Sequence, residues 1–426
     1  MTEAATILED PEIRVQQVLL ASSNHDVPGL RNLLRENSAN VQDPETGFTP
    51  LHAAIAACEH DADESYGGGQ SNGVQDSKEP EGSSESPAIK TVKLLLRNGA
   101  IWNLVDTNNE TPGCSALRLG LNELYEIMVD AGVRAELLLS RLDGYQTLAD
   151  SEDEADEQDQ SESQDAEAGL SNAIEEAKTE ANQDTSQEAE EDLRKEAEAG
   201  MDRPPDEAAE GPSNEDFLAS SLRFQDGRIV DQSGNAVMMA WETGLMKRTA
   251  ELLCPTNGLR ILNIGHGMGI IDSFFQTKSP TAHHIIEAHP VVLDRMKQDG
   301  WTSNATIHEG RWQDVVPKLL EQGVMFDAIY FDTFAEDYKA FRDFSDNLIG
   351  LLDDGGKWSF FHGLGADRQI CYDVYTKIVE MDLFESGYDV EWETIPIDGK
   401  GVEWEGVKRK YWTLKEYRLP ICSFIG

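Results

Sequence analysis

The sequence predicts an α/β protein: a seven-stranded, doubly wound sheet in its C-terminal half, preceded by a small α-helical, repeat-like domain. Three observations lead there. From Phe217 onward, short apolar β-rich runs alternate with helical stretches, the pattern of βα units on a mostly parallel sheet. Ahead of them, Asp150 to Asp216 holds 26 acidic and 4 basic side chains and no Phe, Tyr or Trp. Such a stretch cannot bury enough apolar surface to offset chain entropy, so it reads as a disordered acidic linker over 150–216. In residues 1–149, turn-and-helix signatures recur at one spacing. With 426 residues, two or three units are expected at roughly 150 residues each.

The repeat-like region comes first. Thr49-Pro50-Leu51-His52-Ala53-Ala54 fits the TPLHxA signature of an ankyrin repeat, in which Thr and His brace the turn that opens a helix. Val92 to Leu96, followed by Gly99, has the apolar pattern and glycine stop of the same unit, and Glu110-Thr111-Pro112 begins another. Thr49 and Thr111 lie 62 positions apart; subtracting the acidic, Gly- and Ser-rich insertion 61–87, which is 27 residues and expected to be disordered, leaves 35. That is close to the ankyrin period of about 33. If the 150–216 linker is flexible, its ends lie on the order of 45 Å apart, and the domains it joins need not touch.

In the C-terminal domain, 217–426, the expected strands are Leu259 to Ile264, His284 to Glu287, Thr306 to Glu309, Phe326 to Phe331, Trp358 to Phe361, Val390 to Ile395 and Tyr411 to Tyr417. A polar, glycine-containing loop joins the last two, which predicts an antiparallel hairpin at that edge. Val237 to Met246 has apolar residues at helical spacing and reads as a helix packed on the sheet.

Charge narrows the function. With 80 acidic against 35 basic residues, a net −45, the chain lacks the cationic surface needed for direct nucleic-acid binding or docking on anionic lipid. No apolar run is long enough for a membrane span, and the start lacks a signal-peptide pattern, so an intracellular protein is expected. The five cysteines form no CxxC pair and read as reduced thiols.

The chemistry gathers at predicted strand ends. Gly265-His266-Gly267-Met268-Gly269-Ile270 follows the first strand. Glycines there let backbone pass close to a nucleotide at a helix start. Ile270 stands where a dinucleotide fingerprint needs its third glycine, and no Gly-Lys-Ser/Thr follows. Glu287, 22 residues beyond Gly265, can accept both hydroxyls of a ribose. Arg311-Trp312 follows the third strand, where an indole could stack on adenine or serve the core. Asp332 ends the fourth strand, at the sheet edge where open α/β folds bind ligands.

Trp241-Glu242-Thr243, the glycine turn, Arg311-Trp312 and Tyr330-Phe331-Asp332-Thr333 together resemble guanidinoacetate methyltransferase. Joined to an ankyrin-like region, the chain resembles the fungal protein arginine N-methyltransferase 2 family, the type IV enzymes. The resemblance implies a class I, Rossmann-like methyltransferase domain with S-adenosylmethionine as cofactor. It implies a product monomethylated on the internal δ-nitrogen (N5) of a protein arginine, with a large-subunit ribosomal protein as target. Cofactor contacts carried over by motif are Phe224, Met238, Glu242, Met246, Gly265, His266, Gly267, Met268, Gly269, Ile270, Glu287, Ala288, His289, Arg311, Trp312 and Asp332. A monomer is expected, in the cytoplasm, with nuclear entry left open; Lys408-Arg409-Lys410 is a short basic run.

A guanidinium has a pKa of about 13 and delocalised lone pairs, so it attacks poorly until a carboxylate polarises it or takes a proton. Glu242 and Asp332 are the expected catalytic pair, planar groups matching the guanidinium fork. A pocket gripping both terminal nitrogens would turn the third toward the methyl. His266, His283, His284, His289 and His308 match no zinc spacing, and no metal is expected. Two other readings stand open: a small-molecule guanidino methyltransferase, and an ankyrin adaptor carrying an idle methyltransferase fold.

Overall fold

The computed structural model describes residues 11–58, 85–150, 213–225, 227–397 and 404–426. The expected insertion 61–87 and linker 150–216 lie outside these residues except at their ends. The chain divides into one unit of residues 1–140 with 213–426 and another of residues 141–212. Among the described residues no helix is long and apolar enough to cross a membrane.

The N-terminal helices are α1 (Pro11–Ser23), α2 (Val27–Leu33), α3 (Pro50–Ala56), α4 (Pro87–Arg97), α5 (Pro112–Arg118) and α6 (Asn122–Asp150). Three of them open alike. Thr49, Ser86 and Thr111 each precede a proline, and each hydroxyl accepts an amide three residues on, at 3.4, 3.3 and 3.2 Å. Proline at the first helical position has no amide to leave unpaired. His52 completes a capping box, its Nδ1 accepting the Thr49 amide at 3.2 Å while Nε2 reaches the Glu110 carbonyl at 3.0 Å. The two Thr-Pro turns are thus tied together across 58 residues.

After α7 (Asn214–Ala219) come β1 (Arg223–Gln225), β2 (Arg228–Val230) and β3 (Ala236–Met239), a small antiparallel sheet. This corrects the helix expected from Val237: only α8 (Thr243–Leu253) is helical, after a 3-10 turn at Ala240–Glu242. The turn decides it. Asp231 Oδ1 accepts the Ser233 and Asn235 amides, both at 2.8 Å, and Gly234 takes φ +83°, so the chain doubles back and β3 pairs with β2.

The large sheet follows: β4 (Arg260–Ile264), α9 (Ile270–Gln276), β5 (Ala282–Glu287), α10 (Pro290–Gln298), β6 (Thr306–Glu309), α11 (Trp312–Glu321), β7 (Phe326–Phe331), α12 (Tyr338–Asn347), β8 (Leu352–Phe360), α13 (Gln369–Glu385), β9 (Tyr388–Pro396) and β10 (Glu416–Phe424). Its seven strands run in the order β6-β5-β4-β7-β8-β10-β9, with β10 antiparallel to both neighbours. The hairpin is as expected, but the last strand starts at Glu416, which leaves Tyr411 in the connecting loop. Strand β8 likewise begins six residues before Trp358. Ile261, Leu262 and Ile264 of β4 are 0–1% exposed, as a central strand covered on both faces requires.

The helical region packs directly on α13. Ile370, Val374 and Ile378 share one apolar core with Val92, Leu95, Met128 and Val129. A Cβ on Gly113 would lie 1.9 Å from the Ile370 side chain, and one on Gly132 2.6 Å from Val374. Asp373 accepts from Tyr125, from Gln369 at 2.9 Å and from Arg418 at 2.6 Å. The two regions that the sequence left free to separate are therefore joined, because half of α13 is apolar on its outer face as well.

Candidate active site

The register of the sheet brings the chemistry together. Ile264 pairs with Ile286 on one side and Phe331 on the other, so Gly265, Glu287 and Asp332 leave neighbouring strands at one level. Strand order reverses between β4 and β7, which opens a crevice at their carboxyl ends. A cavity of about 200 Å³ occupies it.

Gly265 shows why glycine is required. Its φ is +92°, and a Cβ there would sit 1.9 Å from the Asp332 carbonyl oxygen. At Gly267 (φ +55°) a Cβ would sit 2.5 Å from Met238 Sδ, the atom that accepts the Met268 amide at 3.2 Å. Glu287 uses Oε2 to accept the His266 amide at 2.8 Å and Oε1 to accept that of His289 at 2.7 Å. Each oxygen keeps a second lone pair for a ligand hydroxyl. His289 caps α10: Nδ1 accepts from Val291 and Nε2 donates to the Phe217 carbonyl at 3.1 Å. Burial holds its pKa down.

The far wall is organised by Glu336. Its carboxylate accepts Trp312 Nε1 at 3.0 Å, Gln313 Nε2 at 2.9 Å and Thr333 Oγ1 at 2.7 Å. Trp312 lines the cavity and also packs on Phe344 in the core. Arg311 is tied to Asn214 of α7, whose side chain also donates to the Phe334 carbonyl at 3.4 Å.

Glu242 and Asp332 line the same cavity. Glu242 is 3% exposed; its Oε1 accepts the Met239 amide at 3.0 Å and the Tyr411 hydroxyl. Burial, then the charge of Asp332, push its pKa up to about 8. Asp332 is pushed up to about 7 by burial, with a weak contact from the Tyr330 hydroxyl at 3.5 Å opposing. Two buried carboxylates lining one cavity suit a cationic group.

Of the expected contacts, the cavity lining gathers Met238, Glu242, Met246, Gly265, His266, Gly267, Glu287, Ala288, His289, Arg311, Trp312 and Asp332. It does not include Phe224, Met268, Gly269 or Ile270. Phe224 lies on β1 beneath the Arg295 guanidinium, 5.9 Å from its ring centre. Met268 faces Met238 with its backbone, Gly269 (φ +69°) fits against the His266 ring, and Ile270 begins α9. Sequence reasoning missed Asn214, Phe217, Phe334, Glu336 and Tyr411. Glu336, four residues past Asp332, was the findable one. His266 and His283 are buried against Asp272, at 2.7 and 2.9 Å, and His284 meets His308 at 3.1 Å.

A seven-stranded sheet with one antiparallel strand inserted next to its edge, a glycine turn after its first strand and an acid ending its second is the Rossmann-like fold of the methyltransferases. Residues 220–382 match the family described as guanidinoacetate N-methyltransferase. Protein arginine N-methyltransferase 2 of Emericella nidulans is 53% identical, over 98% of each chain, and that of Candida glabrata is 37% identical, over 92% of this chain and 89% of its own. Among solved structures, the O-methyltransferase TomG of Streptomyces achromogenes superposes with a TM-score of 0.32 at 16% identity, over 45% of this chain and 82% of its own. The chain belongs to the protein arginine N-methyltransferase 2 family.

Proposed function

We propose that this chain is a protein-arginine methyltransferase that moves a methyl group from S-adenosylmethionine to the internal δ-nitrogen of an arginine in a target protein, a ribosomal protein being the expected target. The observation that carries the reading is the pair Glu242 and Asp332, two buried acids lining one cavity together with the glycine turn. Family membership supports the arginine acceptor.

The residues present suit the cofactor. The glycine turn leaves open backbone where side chains would collide, Glu287 keeps lone pairs for ribose hydroxyls, and Trp312 offers an aromatic wall. When bound, S-adenosylmethionine supplies a sulfonium methyl whose carbon–sulfur bond breaks as the carbon–nitrogen bond forms, leaving a neutral thioether. Glu242 and Asp332 hold the guanidinium by charge-assisted hydrogen bonds. One of them takes the proton that the methylated nitrogen gives up, so the product keeps a single positive charge. The N-terminal helices, with their paired Thr-Pro-opened turns, act as an ankyrin-like recognition module.

Methyl-labelled S-adenosylmethionine and an extract of cells lacking the enzyme provide the test. Label in a protein that hydrolyses to δ-N-monomethylarginine is the expected result; ω-N-methylarginine contradicts the nitrogen assigned. Label in a small guanidino compound would favour the second reading, which the matched family at 220–382 keeps in view. No label would mark an idle fold.

A further inference from the structure

We infer that Tyr411 sets which nitrogen of the acceptor guanidinium is methylated, by leaving Glu242 one oxygen with which to hold it. This rests on the arginine reading above. Glu242 Oε1 accepts two donors, the Met239 amide at 3.0 Å and the Tyr411 hydroxyl. A carboxylate oxygen offers about two lone-pair sites, so Oε1 is fully engaged. Among the described residues nothing donates to Oε2. In the same cavity, Asp332 accepts only from Tyr330, on Oδ2 at 3.5 Å, and its Oδ1 is unengaged among the described residues.

An arginine guanidinium carries five N–H donors and so presents two edges, one of the internal and a terminal nitrogen and one of both terminal nitrogens; a carboxylate with both oxygens available takes one edge as a parallel pair of bonds. A carboxylate reduced to one oxygen takes a single nitrogen instead. Glu242 and Asp332 are therefore unequal partners: Asp332 takes an edge and Glu242 the nitrogen opposite. With Asp332 on the edge that includes the internal nitrogen, the proton released when the nitrogen–methyl bond forms and the sulfonium bond breaks passes to Asp332. Glu242 Oε2 then anchors the far terminal nitrogen. Without the tyrosine hydroxyl, Glu242 could take an edge of its own and the cation could seat in a second register, with a terminal nitrogen toward the methyl.

Tyr411 is fixed where it stands. Its ring stacks on Trp241 at 6.1 Å and meets Trp404 edge-on at 5.1 Å. The chain is held on either side of Tyr411, by the Lys408 amide to the Gly234 carbonyl at 2.9 Å and by Thr413 Oγ1 to the Asp367 carbonyl at 2.8 Å.

The experiment compares wild type with Tyr411→Phe, which keeps the ring and removes the donor. S-adenosylhomocysteine affinity by calorimetry serves as the check on folding and is expected to hold within about threefold, since Tyr411 acts through Glu242. Labelled product from the same extract is hydrolysed and the methylarginines separated. The wild type should give δ-N-monomethylarginine alone, and Tyr411→Phe a mixture in which ω-N-monomethylarginine is at least ~10% of the label. A variant that makes only the δ product overturns the inference, as does one that binds S-adenosylhomocysteine normally but transfers no methyl, which would make the hydroxyl part of the chemistry. A wild-type product methylated on a terminal nitrogen overturns the arginine-δ reading first and the inference with it. Should Tyr411→Phe lose S-adenosylhomocysteine binding, Tyr411→Met, a flexible filler without a donor, takes its place under the same outcomes.

Discussion

Glu242 and Asp332 are acids whose charged forms burial disfavours. An ordinary carboxylate releases its proton near pH 4, whereas burial raises Asp332 to about 7, and burial with the Asp332 charge raises Glu242 to about 8. Because the folded values lie above the unfolded ones, the folded chain binds more protons in that window. These groups therefore favour the fold at low pH, and that contribution is lost as pH rises from about 4 to about 8. Glu242→Gln should raise the stability of the ligand-free protein at pH 8.5 by on the order of 2 kcal/mol and change it little at pH 5. Urea unfolding at both pH values checks this; an equal offset at both would point to packing instead of charge. On the proposed mechanism turnover uses the ionised pair, so kcat/KM should fall as pH drops below about 7–8. Both carboxylates were legible in the sequence because each follows an aromatic in a short motif at an element boundary. Tyr411 was not, because the strand expected over Tyr411 to Tyr417 starts only at Glu416 and a loop residue's partner is set by tertiary closure.

Among the elements, the glycine turn is the most constrained. A side chain at Gly265 must displace the Asp332 carbonyl at the end of β7 as well as tolerate φ +92°. Gly265→Ala should lower stability by about 2–4 kcal/mol and weaken S-adenosylhomocysteine binding at least tenfold. Gly244 on α8 has nothing within 4 Å of an added Cβ and no positive φ. Gly244→Ala should be neutral or gain up to about 1 kcal/mol. Calorimetry and thermal unfolding of the two variants check the contrast, and equal effects would remove the backbone argument. The four parallel strands β4 to β7 were legible to within two residues, whereas β8 starts six residues before Trp358 and β10 shares only Glu416 and Tyr417 with its expected range. Strand β3 was misread as helix: its four residues are too few for alternation to show, and the Asp231–Asn235 turn that pairs it with β2 leaves only a polar cluster in the sequence.

For the whole molecule, the decisive feature is the joint between the N-terminal helices and α13. Asp373 stands at its centre with a side chain 16% exposed, bound to Arg418 of β10 and Tyr125 of α6. Removing one partner of such a pair strands the other charge, so Asp373→Ala should lower stability by roughly 3 kcal/mol. Unfolding of the N-terminal helices, followed by hydrogen exchange at Leu95 and Met128, should then separate from that of the sheet. A variant that unfolds in one transition with unchanged midpoint would show the joint to be incidental. The joint was hidden from the sequence because α13 is apolar on most of its faces, which signals burial without naming the neighbour; that Ile370, Val374 and Ile378 are covered by a distant segment emerges only from tertiary packing.

If Glu242 and Asp332, far apart in sequence, act together on one guanidinium, the rate of methyl transfer at saturating cofactor and acceptor depends on both. Glu242→Gln and Asp332→Asn should each slow that step by a factor on the order of 100 or more, while S-adenosylhomocysteine affinity changes by less than about threefold. Rates within about twofold of wild type for either variant would contradict the account.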